Sequence, residues 1–375
     1  MDTTRLRIAS DADIVGTVPY LVGYHPRQAV TLLTIGRGER QPSGPLVTVG
    51  IADATVAEVV DELAGTVASV HALGFGVYGM VLYLDGPLSE SFHRRSTREL
   101  VRAVREADDP RVGAWVVADD GWHRLPGFDP FDETARVRDL ADLTTGQAVA
   151  SLVLSGAAPM PDRESLGIVR EPDGEDGRAL AALVAEAYEL DDPSGWLLDV
   201  AGDPDERHDH MVRVFSAYAK VAAATAGAAL ATGGAGAARV EPAGDVEWDA
   251  LATLVVGLQN RHVRDHLLVL AIDPEHDPGA CWDPSAAIGA GEGPEDAERR
   301  RPIELAARFA PPGMAAPALS VLAVLAWRRG EGARARVLSE QALDDSPEYA
   351  LADLVTELLD SGCPPPLNRA FAGEW

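Results

Sequence analysis

The sequence predicts an α/β N-terminal domain, a mixed sheet with flanking helices, followed by an all-α C-terminal domain. Strand and helix patterns alternate through the first half of the chain. From about Gln147 the strand signals vanish and helical periodicity takes over. A junction is signalled by the Gly- and Pro-containing stretch at residues 156–161 and the acidic, glycine-containing stretch at 171–177. The domains are therefore expected at 1–160 and 161–375.

Residues 29–35 (A-V-T-L-L-T-I) and 46–51 (L-V-T-V-G-I) are short β-rich runs separated by Gly36, Gly38, Pro42, Gly44 and Pro45, which predicts a hairpin. A helix follows from Thr55. Thr55 and Glu58 have capping-box spacing, and Val56, Val59, Val60, Leu63, Val67 and Val70 fall on one face. Residues 77–84 read as a buried strand, 89–107 as a second helix and 114–118 as a further strand, pairing with 122–125 across Asp119-Asp120-Gly121. A hairpin followed by strand–helix–strand units gives a mixed sheet with helices packed on it.

In the second half, Asp203-Pro204-Asp205-Glu206 is a helix start, with an N-cap Asp and Pro at the first turn. Met211, Val214, Phe215, Tyr218 and Val221 continue it as an apolar stripe. Further helices are expected at 247–257, 260–271 and 302–309, with an acidic, glycine-rich loop at 289–298. Over residues 316–362, Pro317 opens a helix that Gly330 closes, a second helix carries Ala335, Leu338 and Ala342, and Ser346-Pro347 starts a third that ends at Gly362. Arg334 is expected on the outer face of this hairpin.

Composition bounds the functional class. The 375 residues are 46% hydrophobic and 24% charged, and 32 basic against 59 acidic residues give a net charge of −27. Such a chain repels phosphates and anionic lipid at long range, so neither nucleic acid nor a membrane surface is an expected partner. Lys220 is the only lysine; with abundant Ala and Gly, that marks a GC-rich genome. Cys281 and Cys363 are far apart and outside any C-x-x-C spacing, which excludes a cysteine zinc site and a disulfide framework. The N-terminal residues lack the apolar core of a signal peptide, and no run is a membrane span: 221–238 is mostly Ala, Gly and Thr, and 314–327 is too short. A cytoplasmic location is expected.

Three stretches carry a family resemblance. They are the opening block with Pro19, Tyr20, Leu21, Gly23, Tyr24 and Pro26, the Asp-Gly-Trp turn at 120–122, and the run A-W-R-R-G-E-G-A-R-A at 326–335. Together they resemble an actinobacterial family known only as domain of unknown function 4192, over most of the chain. The resemblance bears on fold and compartment and carries no assigned chemistry. Separately, Leu322, Ala323, Ala335, Ala342 and Pro347 match the small-residue spacing of a tetratricopeptide repeat. Residues 316–362 thus resemble a single tetratricopeptide-like unit, although Ala326 and Ser339 stand where bulky side chains are usual.

Four groups of residues could carry chemistry. Asp85 and Asp119-Asp120 follow two strands joined by one helix, so a crossover places their carboxylates at one sheet edge, where ligands bind in open α/β sheets and acids can hold Mg²⁺. Asp85-Gly86 and Asp120-Gly121 are equally turn dipeptides, and with no phosphate loop or nucleophile beside them the turn reading is preferred. His25, beside Arg27, suits acid–base or anion-binding work, but its glycine and two proline neighbours also suit a rigid helix-to-strand connection, which is preferred. His262 and His266 stand one helical turn apart, with Asp265 alongside and His276 and Cys281 downstream, yet complete no recognised metal-ligand spacing. His208 and His210, two apart, point to different helix sides. Arg94, Arg98, Arg102 and Arg105 form a stripe whose i, i+4 glutamates make it a solvated, salt-bridged face, and the same reading is given to Arg299, Arg300 and Arg301.

No catalytic constellation and no cofactor site emerge from these groups. The sequence points to a non-catalytic binding or scaffold protein with a protein partner on its C-terminal helices. The alternative is an enzyme or small-ligand sensor using Asp85, Asp119, Asp120, His25 and Arg27. Oligomeric state is not legible.

Overall fold

The computed structural model describes residues 8–37, 43–88, 91–109, 111–125, 137–190, 204–225, 247–272, 295–363 and 365. The chain divides into two compact units, Met1–Asp162 and Arg163–Trp375.

The first unit opens with helix α1 (Asp11–Val22), capped by Ser10, whose hydroxyl accepts from the Asp13 N–H at 3.1 Å. Gly23, at φ 88°, ends it by returning its N–H to the Pro19 carbonyl at 2.9 Å. Strands β1 (Ala29–Gly36) and β2 (Ser43–Gly50) then form the expected antiparallel pair. Helix α2 (Val56–Ala72) carries the complete Thr55–Glu58 capping box. Strand β3 (Phe75–Tyr83) pairs antiparallel with β1. Helix α3 (Ser91–Ala107) leads to β4 (Gly113–Ala118), parallel to β3, and β5 (Gly121–Leu125) closes back on β4. The result is a five-stranded mixed sheet in the order β2-β1-β3-β4-β5.

Strand alternation sorts the core to both faces. Val30, Leu32, Met80, Leu82 and Val116 pack with Val59, Leu63 and Val67 of α2 and Val101 and Val104 of α3. Leu33, Val81, Tyr83, Trp115 and Trp122 pack with Val15 and Val18 of α1. Helix α4 (Gln147–Leu154) lies against α1. Gly16 permits α1 to approach a neighbouring turn closely, since a Cβ there would stand 2.2 Å from the Leu143 carbonyl oxygen. The Asp-Gly-Trp turn has a comparable cause. Gly121 adopts φ 142° with its Cβ direction filled by the Arg138 carbonyl, while the buried Trp122 exchanges backbone hydrogen bonds with Arg138 and donates its indole N–H to the Asp139 carbonyl at 3.1 Å.

The second unit is mostly helical: α5 (Glu175–Leu190), α6 (Pro204–Thr225), α7 (Trp248–Leu258), α8 (Arg261–Ile272), α9 (Glu295–Phe309), α10 (Ala316–Arg328), α11 (Gly332–Asp345) and α12 (Ala350–Asp360). Helix α7 is central, with Leu251, Leu254, Val255 and Leu258 fully buried. Helix α9 starts earlier than expected: it runs through Pro302, so residues 295–298 are helical rather than part of an acidic loop. Helix α12 starts later than expected, after Glu348 takes a left-handed turn at φ 71°. Helices α10 and α11 pack together with Ala326, Ala335, Ser339 and Ala342 fully buried. Arg334, expected on an outer face, instead reaches Glu304 at 3.3 Å. Among the described residues no helix is long and apolar enough to cross a membrane.

Candidate functional site

Topology brings the sequence-predicted polar residues of the first unit to one edge of the sheet. Parallel β3 and β4 both end there, at Tyr83 and Ala118, and β1 begins there because Ala29 lies opposite Tyr83. Asp85, Asp119 and Asp120 leave the two parallel strands at this edge, while His25 and Arg27 lead into β1.

Two of the three acids are tied to backbone. Asp119 Oδ2 accepts the Gly86 N–H at 2.8 Å, and Asp120 Oδ1 accepts the Leu88 N–H at 2.9 Å. The Gly86 carbonyl in turn accepts the Asp119 N–H at 3.2 Å. These carboxylates therefore lace the loop after β3 to the turn after β4 by bonds between segments 33 and 32 residues apart, not by local turn contacts. Asp85 is exposed, as are His25 and Arg27.

The connection from α1 to β1 is rigid for a visible reason. The His25 N–H donates to the Met160 carbonyl at 2.9 Å and Met160 returns a bond to Gly23 at 2.8 Å, holding Tyr24 and Met160 side by side. Partial burial, and then the Arg27 guanidinium, hold the His25 imidazole below its usual pKa. Gln28 sits at φ 42°, a conformation uncommon for a side-chain-bearing residue, and its carbonyl accepts the Ile51 N–H at 2.7 Å. The edge thus carries a histidine, an arginine and the remaining carboxylate oxygens.

The other candidates are dispersed. His262 is exposed, and its N–H is capped by Asn260 Oδ1 at 3.0 Å. His266 sets its ring edge-on to Phe215 at 6.4 Å, and Asp265 accepts Arg264 at 2.6 Å. His210 is buried, while the His208 side chain, His276 and Cys281 lie outside the described residues. Among the described residues no three His, Cys, Asp or Glu side chains are grouped to hold a metal ion. Along α3, Arg102 pairs with Glu106 at 3.8 Å, and Arg105 turns inward to the Val112 carbonyl. The side chain of Arg94 lies outside the described residues.

Two features escaped the sequence reading. At the opposite end of the sheet, Asp108 Oδ1 lies 2.9 Å from Arg37 Nη2 and 2.8 Å from His71 Nε2, and its second oxygen accepts the Val77 N–H. All three residues stand at or just beyond the ends of β1, α2 and α3, a position that could have drawn notice. In the second unit, Ala181, Val184, Ala185 and Tyr188 lie on one face of α5 at helical spacing. With Pro311 and Met314 they line an open groove of about 410 Å³. Tyr188 is 38% exposed there.

No curated protein and no solved structure matches the chain. One family model matches residues 12–366, a span that takes in all but the first residue of α1, the whole sheet and the helices through α12. On that match the chain belongs to the family described as Domain of unknown function (DUF4192).

Proposed function

We propose that this protein is a non-catalytic cytosolic binding or scaffold protein that docks a protein partner on its C-terminal helices. The groove between α5 and the turn carrying Pro311 and Met314 carries the reading. Its lining is aliphatic and aromatic, with the Tyr188 hydroxyl the one side-chain polar atom among the six residues. Such a surface gains free energy by covering apolar area, and it supplies no group that would activate a substrate. Its partner is a segment presenting apolar side chains at helical spacing, since α5 offers a straight row to lie against.

The rest of the reading follows from the same features. Residues 1–160 act as a mixed α/β domain and 161–375 as a helical one. The full burial of Ala335 and Ala342 supports a tetratricopeptide-like approach of α10 and α11. The nearly lysine-free composition supports an actinobacterial source. Neither cofactor nor nucleic acid is part of this function. A second reading, an enzyme or small-ligand sensor, is favoured by the gathering of His25, Arg27, Asp85, Asp119 and Asp120 at one sheet edge.

The two readings separate in one experiment. The full chain, an Ala185→Glu variant and an Asp119→Asn variant are purified natively from the producing cells, and what each retains is identified by mass spectrometry. Ala185 is exposed, so its replacement leaves the core intact. The expected result is a protein retained by the wild type and by Asp119→Asn but lost from Ala185→Glu. A small molecule retained by the wild type and lost from Asp119→Asn would replace the binder with the sensor.

A further inference from the structure

At the end of the sheet away from Asp85, Asp119 and Asp120, one ring nitrogen stands between a donor and an acceptor. Arg37, the residue after β1, sets its Nη2 2.7 Å from His71 Nε2 and 2.9 Å from Asp108 Oδ1. His71 Nε2 itself lies 2.8 Å from the same Asp108 oxygen. Asp108 is 6% exposed, and its second oxygen accepts the Val77 N–H. Both of its oxygens thus accept from N–H donors, so the group is a carboxylate.

A guanidinium only donates and a carboxylate only accepts. His71 Nε2 therefore serves one of them at a time. With its lone pair it accepts from Arg37, which selects the neutral ring with its hydrogen on Nδ1. With a proton it donates to Asp108 instead, and a second cation then stands 2.7 Å from Arg37. The ring is the better placed of the two cations to keep the carboxylate. It sits in the last turn of α2, where the helix dipole favours positive charge, whereas the Arg37 side chain is 53% exposed.

No other charge among the described residues is placed to decide the exchange. Helix α2 packs on α3, β3 and β2. Strands β2 and β3 carry no charged residue; of the β3 tyrosines, Tyr83 stands at the far end and Tyr78 is exposed. In the last turns of α3, Arg105 is bonded to the Val112 carbonyl and Glu106 is paired with Arg102. One turn before His71 on its own helix stand Val67 and Ala68.

We infer that His71 is a proton-operated switch that holds the Arg37 side chain across β3 when neutral and releases it when protonated. Gly76 gives the guanidinium its path, since a Cβ there would stand 3.1 Å from Arg37 Nε. Release takes the side chain off Gly76, which pairs with Ile35 of β1, while the Arg37 N–H stays bonded to the Gly74 carbonyl at 3.0 Å. The moving part is thus one side chain at the start of β3. Histidine suits it because the imidazole changes charge near neutrality. The switch is independent of the groove and of the partner proposed for it.

The test is nuclear magnetic resonance of the full chain with ¹⁵N-labelled histidine and glycine. The chain has 9 histidines, and the ring signal absent from His71→Gln belongs to His71. At alkaline pH the wild-type ring is expected to carry its hydrogen on Nδ1. In Arg37→Met, where Asp108 is the one neighbour left to Nε2, the hydrogen should move to Nε2. On acidification the wild-type Gly76 amide signal should shift with the same midpoint as the His71 ring. That shift should be lost in both variants, although the ring still titrates in Arg37→Met. A wild-type ring with its hydrogen on Nε2 at alkaline pH overturns the switch. So does a Gly76 shift that persists in His71→Gln or in Arg37→Met.

Discussion

The carboxylate of Asp345, the last residue of α11, lies 2.9 Å from the guanidinium of Arg170 and is 6% exposed. The same carboxylate accepts the N–H groups of Gly313 at 3.0 Å, Ala315 at 2.8 Å and Ala316 at 3.0 Å. One side chain thus satisfies donors at the start of α10, where helical N–H groups have no partner of their own and the helix dipole favours a negative charge. It fixes α11 to α10 and both to the strand of chain carrying Arg170.

Removing Asp345 leaves a half-buried cation and three backbone donors without it. Asp345→Ala should therefore cost about 3–5 kcal/mol, the range for breaking a buried pair. Glu340→Ala, which removes an exposed pair with Arg163, should cost less than about 1 kcal/mol. Urea unfolding of the two variants checks the contrast. Equal losses would show that Asp345 is only another surface partner.

Two glycines in helices should respond in opposite directions to the same methyl group. At Gly16 a Cβ meets the Leu143 carbonyl oxygen at 2.2 Å, so Gly16→Ala forces α1 away from its neighbour and destabilises the first unit. At Gly65, within α2, a Cβ meets nothing within 4 Å. Gly65→Ala should stabilise by about 0.4–1 kcal/mol through the reduced entropy of the unfolded chain. Melting temperatures of the two variants decide it.

Much of this architecture is legible because its causes are local. Thr55 and Glu58 are three residues apart, and their capping box forms as the spacing predicts. The edge shared by Asp85, Asp119 and Asp120 was legible because a strand–helix–strand crossover allows few outcomes. What those carboxylates do was not, since Gly86 and Leu88 reach them from 33 and 32 residues away. Distance in sequence likewise hid the Arg37–Asp108 contact, 71 residues apart. Arg334 was misplaced because helical periodicity gives a face but not the neighbour that covers it, here Glu304 of α9. The groove escaped notice because Ala181, Val184, Ala185 and Tyr188 read as one more core stripe. Only the structure shows that Tyr188 and Ala185 remain uncovered by the described residues.

Asp13 gives the first unit a defined acid limit. Burial pushes its carboxyl upward, but hydrogen bonds from the Ala9 N–H at 3.1 Å, the Ser10 hydroxyl at 3.0 Å and the Ala148 N–H at 3.4 Å outweigh it and leave the pKa below the usual 3.8. A folded-state pKa below the unfolded one contributes stability that is complete above 3.8 and lost as pH falls through the lowered value. Asp13→Asn should be less stable than the wild type near neutrality. Urea midpoints measured stepwise into acid should show that gap closing only below the usual aspartate pKa. A gap that is constant with pH would remove the carboxylate's charge from the account.

The measurement that bears most directly on the docking surface is amide hydrogen exchange of the full chain, alone and with the protein it retains on native purification. Added protection should fall on residues 175–190 of α5 and on 311–314, the two segments that line the groove. Protection confined to 84–88 and 119–122 at the sheet edge, or protection nowhere, would contradict a partner bound in the groove of the C-terminal helices.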